Sequence, residues 1–237
     1  MRASHILSAL DITGVKSGKK PGNKPIFGAR ARPVADRILS FEGVSEGEGD
    51  RRMKVVGIVG SARLGGNTEI LTRIALDEVQ KEGLETELVS LAGKKIEPCD
   101  GCRSCSKTGK CHIRDDFESI FKKMKEADGI ILATPVYFGA ATPQIVSLIS
   151  RFYSKRGKPL KNKVGGPIVV ARRAGHNFTL AQLMFFFMIS EMIVPGSSYW
   201  TVAFGRLKGD VLKDEEGINT VKDFGQTLAW LIKKINA

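Results

Sequence analysis

All four cysteines of the chain lie within thirteen residues, in the segment CDGCRSCSKTGKC at positions 99–111. Such a group of thiols can hold an iron–sulfur cluster, bind zinc, form a redox disulfide or remain free. The spacing C-x2-C-x2-C-x5-C favours a cluster, because two-residue spacers wrap a chain closely around iron and sulfur, as in ferredoxins. Zinc and metal-free cysteines stay open as alternatives, although structural zinc sites usually use two separated pairs of ligands. The candidate ligands of one [4Fe–4S] cluster are Cys99, Cys102, Cys105 and Cys111.

The residues around these cysteines suit a negatively charged cluster. Gly101 and Gly109 give the segment the backbone freedom that a tight wrap requires. Basic side chains favour thiolates and offset the charge of a thiolate-ligated cluster. Four of them flank the cysteines: Arg103, Lys107, Lys110 and Arg114. His112 is adjacent, but four sulfurs already complete a ligand set, so we interpret His112 as a surface residue.

A second segment, GSARLGGNT, has the composition of an anion-binding loop. A Walker loop requires Lys and then Ser or Thr after its last glycine, which this segment lacks. A dinucleotide site needs a carboxylate at the end of the second strand, which here ends in LVSL. What remains is a loop of glycines and small polar residues that opens a helix. It suits one terminal phosphate, as on FMN, although an ordinary capped turn is the alternative. The candidate phosphate contacts are Ser61, Arg63, Asn67 and Thr68.

A third segment, TPVYFGAATPQ, has two adjacent aromatic residues in a predicted turn. Pro135 and Gly139 shape the turn, and Tyr137 and Phe138 lie where water should reach them. A flat ligand such as an isoalloxazine ring requires an aromatic or peptide plane against it. Both aromatics could instead pack beneath the loop. Combined with a phosphate loop nearby, the segment favours a flavin mononucleotide.

Alternating strands and helices from Lys54 onward must position these segments. Apolar or alternating runs predict five strands, in KVVGIVG, LETELVSL, GIILAT, GGPIVVARR and VPGSSYWTVAF. Five helices follow these strands, which predicts a three-layer α/β sandwich with a parallel sheet. Ligands of such sheets bind beyond the carboxyl ends of the strands. The cysteine segment follows the second strand, so we expect it at that edge, near the flavin.

The helix ends are predicted from capping residues and periodicity. The first helix is capped by Asn67 or Thr68. In the second, DDFESIFKKMKEADG, Asp115 and Glu118 resemble a capping box. A very apolar helix spans about residues 180–192. Because it is hydrophobic on nearly every face, either the core or another subunit must cover it.

These segments, in this order, resemble the flavodoxin-like NADPH-dependent FMN reductase family. GSARLGGNTEIL and TPVYFGAATPQIVSLISRF resemble its flavin-binding segments, and CDGCRSCSKTGKCHIRDDF resembles the compact motif of its iron–sulfur flavoprotein branch. The segment GHNFTLAQLMFFFMISEMIVPGSSYW resembles a later helix and strand, so the resemblance covers about residues 54–205. It implies a sheet order of 2-1-3-4-5, bound FMN, and a homodimer or homotetramer. It also implies that the flavin ring contacts Pro135, Val136, Tyr137, Phe138 and Gly139.

The first 52 residues differ from the rest of the chain. They are rich in Gly, Pro, Lys and Arg, and the stretch EGVSEGEGDRR is typical of a linker. We predict a basic, largely disordered N-terminal extension over residues 1–52 and a flavodoxin-like FMN-binding domain over residues 53–237. Met53 stands directly before the first predicted strand, and we hypothesise that it is the true translation start.

The chain has a formal net charge of +12. A basic surface suits anionic cofactors, an acidic protein partner or nucleic acid. Motifs of zinc fingers, RNA-binding domains or recognition helices do not accompany the charge, so nucleic acid is a weak hypothesis. The apolar runs are too short to span a bilayer, and the N-terminus lacks the apolar core of a signal peptide. We therefore predict a cytoplasmic protein without a membrane partner, in which clustered cysteines bind metal or do redox chemistry.

The predicted function is electron transfer by FMN and a [4Fe–4S] cluster. The expected donor is ferredoxin or NAD(P)H, and the acceptor is unidentified. The cofactors supply the redox chemistry, so no side chain is assigned as a catalytic acid or base. One alternative is a cluster-free NAD(P)H-dependent FMN or quinone reductase. Another is a non-enzymatic flavodoxin-type carrier, or a redox sensor whose cysteines report oxidation.

Overall fold

The computed structural model describes residues 52–154 and 158–237. Its five parallel strands are arranged in the order β2-β1-β3-β4-β5, which confirms the predicted flavodoxin-like sheet. The strands are β1 (Lys54–Val59), β2 (Glu85–Ser90), β3 (Gly129–Pro135), β4 (Val164–Ala171) and β5 (Val202–Phe204). The prediction of a disordered extension over residues 1–52 falls, except for Arg52, outside the described residues.

Five long helices connect or follow the strands, and a sixth, short helix lies inside the cysteine segment. They are α1 (Asn67–Lys81), α2 (Ser104–Thr108), α3 (Phe117–Glu126), α4 (Pro143–Ser150), α5 (His176–Ile189) and α6 (Glu215–Ile235). Two 3₁₀ turns, Arg151–Ser154 and Asp210–Lys213, follow α4 and precede α6. Among the described residues, none of these helices combines the length and apolarity needed to cross a membrane.

The sheet is covered on both faces, which explains the continuous buried runs of β1, β3 and β4. Alternate residues of β1 point to opposite faces: Val56 and Ile58 pack into one hydrophobic cluster, and Val55 and Val59 into the other. The first cluster is formed with α3, α4 and α5, and the second with α1 and α6. Because helices cover both faces, the carboxyl ends of the strands remain accessible to a ligand.

The helix caps differ from the sequence predictions. Gly66 is the N-cap of α1 and makes no side-chain cap bond, so neither Asn67 nor Thr68 caps that helix. In α3 the N-cap is Asp116, and Asp115 accepts a hydrogen bond from the Phe117 N–H at 3.1 Å. The Asn67 side chain bonds to the loop after β5 instead, and Asp115 bonds to Arg151 and Glu97 as well as to Phe117.

The short helix α2 and the position of α5 were not foreseen. Helix α2 is too short for a periodic pattern, and it starts after Arg103, whose φ is 61°. Helix α5 covers His176–Ile189 rather than residues 180–192. Its start is shifted because Gly175, with φ of 89°, ends the preceding turn. Strand β5 is also shorter than the segment VPGSSYWTVAF suggested.

Candidate functional site

A cleft of about 390 Å³ opens at the carboxyl edge of the sheet. Ligand sites in proteins commonly enclose about 300–1,000 Å³. Loops after β1, β3, β4 and β5 contribute to its walls. The lining residues are Ser61, Arg63, Gly66, Asn67, Thr68, Pro135, Val136, Tyr137, Val170, Arg172, Gly205, Arg206, Leu207 and Lys208.

The loop after β1 places the predicted phosphate contacts on one wall of this cleft. Ser61 is only 5% exposed, and its Oγ accepts a hydrogen bond from the Arg63 N–H at 3.1 Å. Thr68 is 2% exposed and lies in the first turn of α1. Backbone N–H groups at a helix start are free of partners within the helix and favour anions. The structure therefore brings Ser61, Arg63 and Thr68 together in the lining of one cleft, and their contact with a phosphate stays a prediction.

A carboxylate also lies in the first turn of α1. Glu69 accepts a hydrogen bond from the Gly65 N–H at 2.8 Å and pairs with Arg73 at 2.7 Å. Burial alone would raise the pKa of Glu69, but the bonds from Gly65 and Arg73 outweigh it and lower that pKa. Glu69 is thus ionised and already paired, and it braces the loop rather than lining the cleft.

Asn67 lines the cleft, but its side chain is already engaged. Its Nδ2 donates to the Leu207 carbonyl at 2.7 Å, and its Oδ1 accepts from the Gly209 N–H at 2.8 Å. The amide therefore joins the start of α1 to the loop after β5. The structure gives Asn67 a bridging position, in addition to the phosphate contact that the sequence suggested.

The loop after β3 forms the opposite wall, and only part of it faces the cleft. Pro135, Val136 and Tyr137 line the cleft, whereas Phe138 and Gly139 do not. Tyr137 and Ala140 exchange backbone hydrogen bonds of 2.9 and 3.0 Å around those two residues. Phe138 and Gly139 have φ of 51° and 78°, so they form the tip of a tight turn. The Phe138 ring is fully exposed there.

The left-handed conformation of Phe138 stores strain, since a non-glycine residue in this region costs about 1–2 kcal/mol. Neighbouring elements hold the loop against this cost. The Ala141 N–H donates to Gln182 Oε1 of α5 at 2.8 Å. A Cβ on Gly175 would lie 2.9 Å from Val136 Cγ1, so a glycine is needed where the loop after β4 approaches this one. Strained, well-supported turns are frequent at functional sites.

The family resemblance implies that the loop after β4, ARRAGHN, approaches the flavin, but Arg172 and Arg173 stand where the family is richer in glycine, so no contact was assigned there. Sequence reasoning missed the loop after β5. Arg172 and residues 205–208 line the cleft beside the predicted residues. Gly205 packs tightly there, because a Cβ on it would lie 2.5 Å from Asn67 Nδ2. The available signal was the position of both loops at the carboxyl ends of strands. The cleft is basic as a result: exposed cations on its lining are Arg63, Arg172, Arg206 and Lys208.

The four cysteines line a second, separate cavity. All four are free thiols; Cys105 is buried, Cys111 is partly buried, and Cys99 and Cys102 are exposed. The loop is attached to the end of α4, where the Cys99 N–H donates to Ser150 Oγ at 3.1 Å. Positive φ at Gly101, Arg103 and Gly109 lets the chain turn between the thiols, which suits ligation by all four.

The ligand atoms that lie closest together on the cysteine loop are not those of the four cysteines. A tetrahedral zinc site needs its four sulfurs within about 4 Å of one another, given Zn–S bonds of about 2.3 Å. In the described part of the chain, the group of potential ligands within 4.8 Å of one another is Asp100, Cys102 and His112, all exposed. A cluster instead distributes its four cysteines over separate irons, and all four cysteines line one cavity.

Asp100 and His112 form an exposed pair on this loop. His112 Nε2 lies 2.7 Å from Asp100 Oδ2, and the Cys102 N–H donates to Asp100 Oδ1 at 3.1 Å. Hydrogen bonds from the Cys102 backbone and side chain, followed by His112, lower the pKa of Asp100 to about 2. Asp100 is therefore ionised at neutral pH and organises the turn. His112 lies at the surface, as the sequence suggested, but has a defined partner.

The cleft and the cysteine cavity lie at opposite ends of α4. At the start of the helix, Thr142 Oγ1 donates to the Gly60 carbonyl at 2.7 Å, next to the phosphate loop. At its end, Ser150 holds the cysteine loop. The eight-residue helix is about 12 Å long. The two cavities have no lining residue in common among those described, and the expected place of the cysteines near the flavin stays a prediction.

The fold and cleft define a flavodoxin-like protein with a nucleotide-sized site and a separate cysteine loop. Residues 53–206 match the family described as NADPH-dependent FMN reductase. An iron–sulfur flavoprotein of Methanocaldococcus jannaschii is 45% identical over 191 residues, which are 77% of this chain and 99% of that protein. Another, of Archaeoglobus fulgidus, is 36% identical over 178 residues, 75% of this chain and 79% of that protein. The chain belongs to the iron–sulfur flavoprotein branch of the NADPH-dependent FMN reductase family.

A solved structure supports the fold independently. RosB with bound 8-demethyl-8-formylriboflavin-5'-phosphate has a TM-score of 0.64 at 18% identity, over 78% of this chain and 80% of that chain. Family membership confirms the predicted resemblance and, with it, FMN and an iron–sulfur cluster as the cofactors and flavin-based electron transfer as the activity. The four-iron stoichiometry, the residue contacts and the electron donor remain predictions.

Proposed function

We propose that this protein transfers electrons between a donor such as ferredoxin or NAD(P)H and an acceptor, using FMN in the cleft and a [4Fe–4S] cluster on the cysteine loop. The observation that carries the proposal is the combination of two sites in one chain. A basic, FMN-sized cleft lies at one end of α4, and four free cysteines on an anchored loop lie at the other.

The residues of the cleft fit a flavin mononucleotide. Ser61, Thr68 and the start of α1 offer hydroxyl and N–H donors to a phosphate, and Arg63 offers a full positive charge. Val136 and Tyr137 offer apolar and aromatic surface for a ring. Asn67 holds the loop after β5 against α1, which closes the wall of the cleft.

The cysteine loop likewise fits a cluster, with Cys99, Cys102, Cys105 and Cys111 as ligands. When bound, FMN takes two electrons together and releases them singly, and a cluster passes one electron at a time, so the pair converts between the two modes. The chain orients both cofactors: hydrogen bonds at Ser150 and Asp100 fix the loop, and α4 sets its distance from the cleft.

The charge around the cleft supports an anionic donor. Four exposed cations line it, and ferredoxins are commonly acidic. Complementary charge raises association rates and makes them sensitive to salt. The same cations would attract the phosphates of NAD(P)H, so the donor must be decided by experiment.

An apolar surface supports assembly into a homodimer or homotetramer. Phe185, Met188 and Ile189 of α5 are each more than 60% exposed. A groove of about 500 Å³ runs between α5 and residues 194–201, where Tyr199 and Trp200 are also exposed. Exposed apolar surface of this kind marks an interaction site.

Free, clustered cysteines support a reducing, cytoplasmic location.

Anaerobic stopped-flow reduction tests the donor. Reduced ferredoxin should bleach the flavin at a rate that falls as ionic strength rises, and the variant Arg206→Gln should lower that rate at low salt. Lys125→Gln, which removes an equal charge from exposed α3, is the matched control and should have no effect. Reduction by NADPH but not by ferredoxin would assign the nucleotide as donor. Reduction by neither would contradict the proposed donors.

A further inference from the structure

Arg151 is a fully buried arginine at the end of α4. Its Nη1 donates to the Glu97 carbonyl at 3.0 Å and to Asp115 Oδ2 at 2.8 Å, and its Nη2 donates to the Ile113 carbonyl at 3.4 Å. The guanidinium carbon lies 4.6 Å from the centre of the Phe117 ring. Burying a guanidinium costs several kcal/mol per ion unless it is well paired, so this position requires an explanation.

The partners of Arg151 stand at both ends of the cysteine loop. Glu97 lies two residues before Cys99, and Ile113 lies two residues after Cys111. The planar guanidinium group therefore joins the segment that enters the cysteine loop to the segment that leaves it. This bond pattern joins the two ends of the loop, each two residues from an outer cysteine.

One donor of Arg151 has no acceptor within the described ranges 52–154 and 158–237. Its Nε is buried and makes no hydrogen bond to any described residue. Arg151 also lines the cysteine cavity, together with all four cysteines. A buried donor without a partner costs about 1–3 kcal/mol, and buried donors in native proteins are nearly always paired. A negatively charged sulfur of a cluster is an acceptor of the right charge in this cavity.

We propose that Arg151 is a positioning residue for the iron–sulfur cluster: its two Nη groups fix the ends of the loop, and its Nε–H donates a hydrogen bond to a sulfur of the bound cluster. The inference rests on the cluster of the proposed function. Hydrogen bonds to sulfur are among the features that set cluster reduction potentials. A donor stabilises the more negative, reduced state, so Arg151 raises the potential.

The simplest test compares two variants with the wild type, by the reduction potential of the cluster in Arg151→Lys and by the iron content of both Arg151→Lys and Arg151→Gln. Lysine keeps the charge and can still pair with Asp115, but it has no Nε donor. We expect Arg151→Lys to retain iron and to shift the cluster potential downward. Arg151→Gln, in contrast, should lose iron. Both variants should keep their FMN, because the cleft is at the other end of α4. Arg114→Gln, which removes an exposed charge beside the loop, is the matched control and should change the potential less.

A second measurement does not depend on the variants folding. Wild-type protein labelled with ¹⁵Nε-arginine, reduced and measured by pulsed EPR, should show one ¹⁵N coupling to the cluster, retained in Arg114→Gln. Absence of that coupling in iron-loaded wild type would overturn the inference while leaving the proposed function intact. So would an iron-replete Arg151→Lys with the wild-type potential. Wild-type protein that holds FMN without iron would overturn the proposed function and this inference together.

Discussion

Replacement of Asn67 by alanine tests whether the loop after β5 is held in place through this side chain. The substitution removes two hydrogen bonds, of 2.7 and 2.8 Å, between the start of α1 and the loop. A typical hydrogen bond contributes about 0.5–1.5 kcal/mol. The bond to Leu207 is exposed to water, which favours the lower part of that range. We expect about 1–2 kcal/mol in total, and therefore an FMN dissociation constant about 5–30-fold higher.

The assay is quenching of flavin fluorescence on titration of the apoprotein, with FMN and with riboflavin. If Asn67 acts by bridging, Asn67→Ala should weaken the binding of FMN and of riboflavin to a similar extent, because both ligands contact the same cleft walls. Arg63→Gln provides the contrast, since loss of a phosphate contact weakens FMN far more than riboflavin. Asn219→Ala, on the exposed face of α6, is the matched control and should change neither.

Two results would refute this reasoning. Weakened FMN binding with unchanged riboflavin binding would mean that Asn67 acts on the phosphate, as the sequence alone suggested. Affinities within twofold of wild type for both ligands would mean that the bridge does not shape the cleft.

Three further predictions concern the packing around the sites. Asp115→Ala leaves the buried Arg151 unpaired and should lower the free energy of unfolding by about 3–5 kcal/mol near neutral pH. Folding lowers the pKa of Asp115, so its contribution to stability is present above about pH 4 and is lost as the pH falls through its pKa in the folded protein. The difference between wild type and variant in the free energy of unfolding, measured with urea, should therefore become smaller in acid. Gly205→Ala forces a Cβ to 2.5 Å from Asn67 Nδ2 and should cost about 1–3 kcal/mol in thermal unfolding and weaken FMN. Phe185→Ser, on exposed α5, should reduce the assembled mass measured by light scattering without reducing FMN content.

Each of these has a control and a contradicting result. Asp223→Ala, on α6, controls for loss of a carboxylate; an Asp115 effect that persists unchanged in acid would contradict the pairing. Gly196→Ala, which has nothing within 4 Å of its added Cβ, should be neutral. An equal loss of stability in Gly205→Ala and Gly196→Ala would contradict the argument that tight packing requires a glycine at position 205. A monomeric wild type would contradict the α5 interface directly.

Much of the fold follows from local pattern. The buried runs at β1, β3 and β4 and the periodic helices α3 and α6 are each long enough to be recognised alone, and their alternation determines a parallel sheet. Strand order and the family came from the resemblance of whole segments. The turn from β1 into α1 is short, so its residues have few ways to be arranged. It therefore brings together Ser61, Arg63 and Thr68.

Other features depend on contacts between segments distant in the chain. Asn67 looked like a cap, but it bonds to residues 207 and 209, some 140 positions away. Arg151 follows the last residue of α4, and only the folded chain brings it to both ends of the cysteine loop. Phe138 stays a predicted ring contact, but the left-handed turn that exposes it depends on the folded loop. Periodicity and composition carry no information on such pairings.

The cofactor content of the protein purified without oxygen tests the central claim most directly. We predict one FMN per chain, with about four irons and about four acid-labile sulfides and the broad absorbance near 400 nm of such clusters. Replacing Cys105, the buried thiol, by serine should abolish the iron and leave the FMN. Flavin without iron, or zinc in place of iron, would contradict the account.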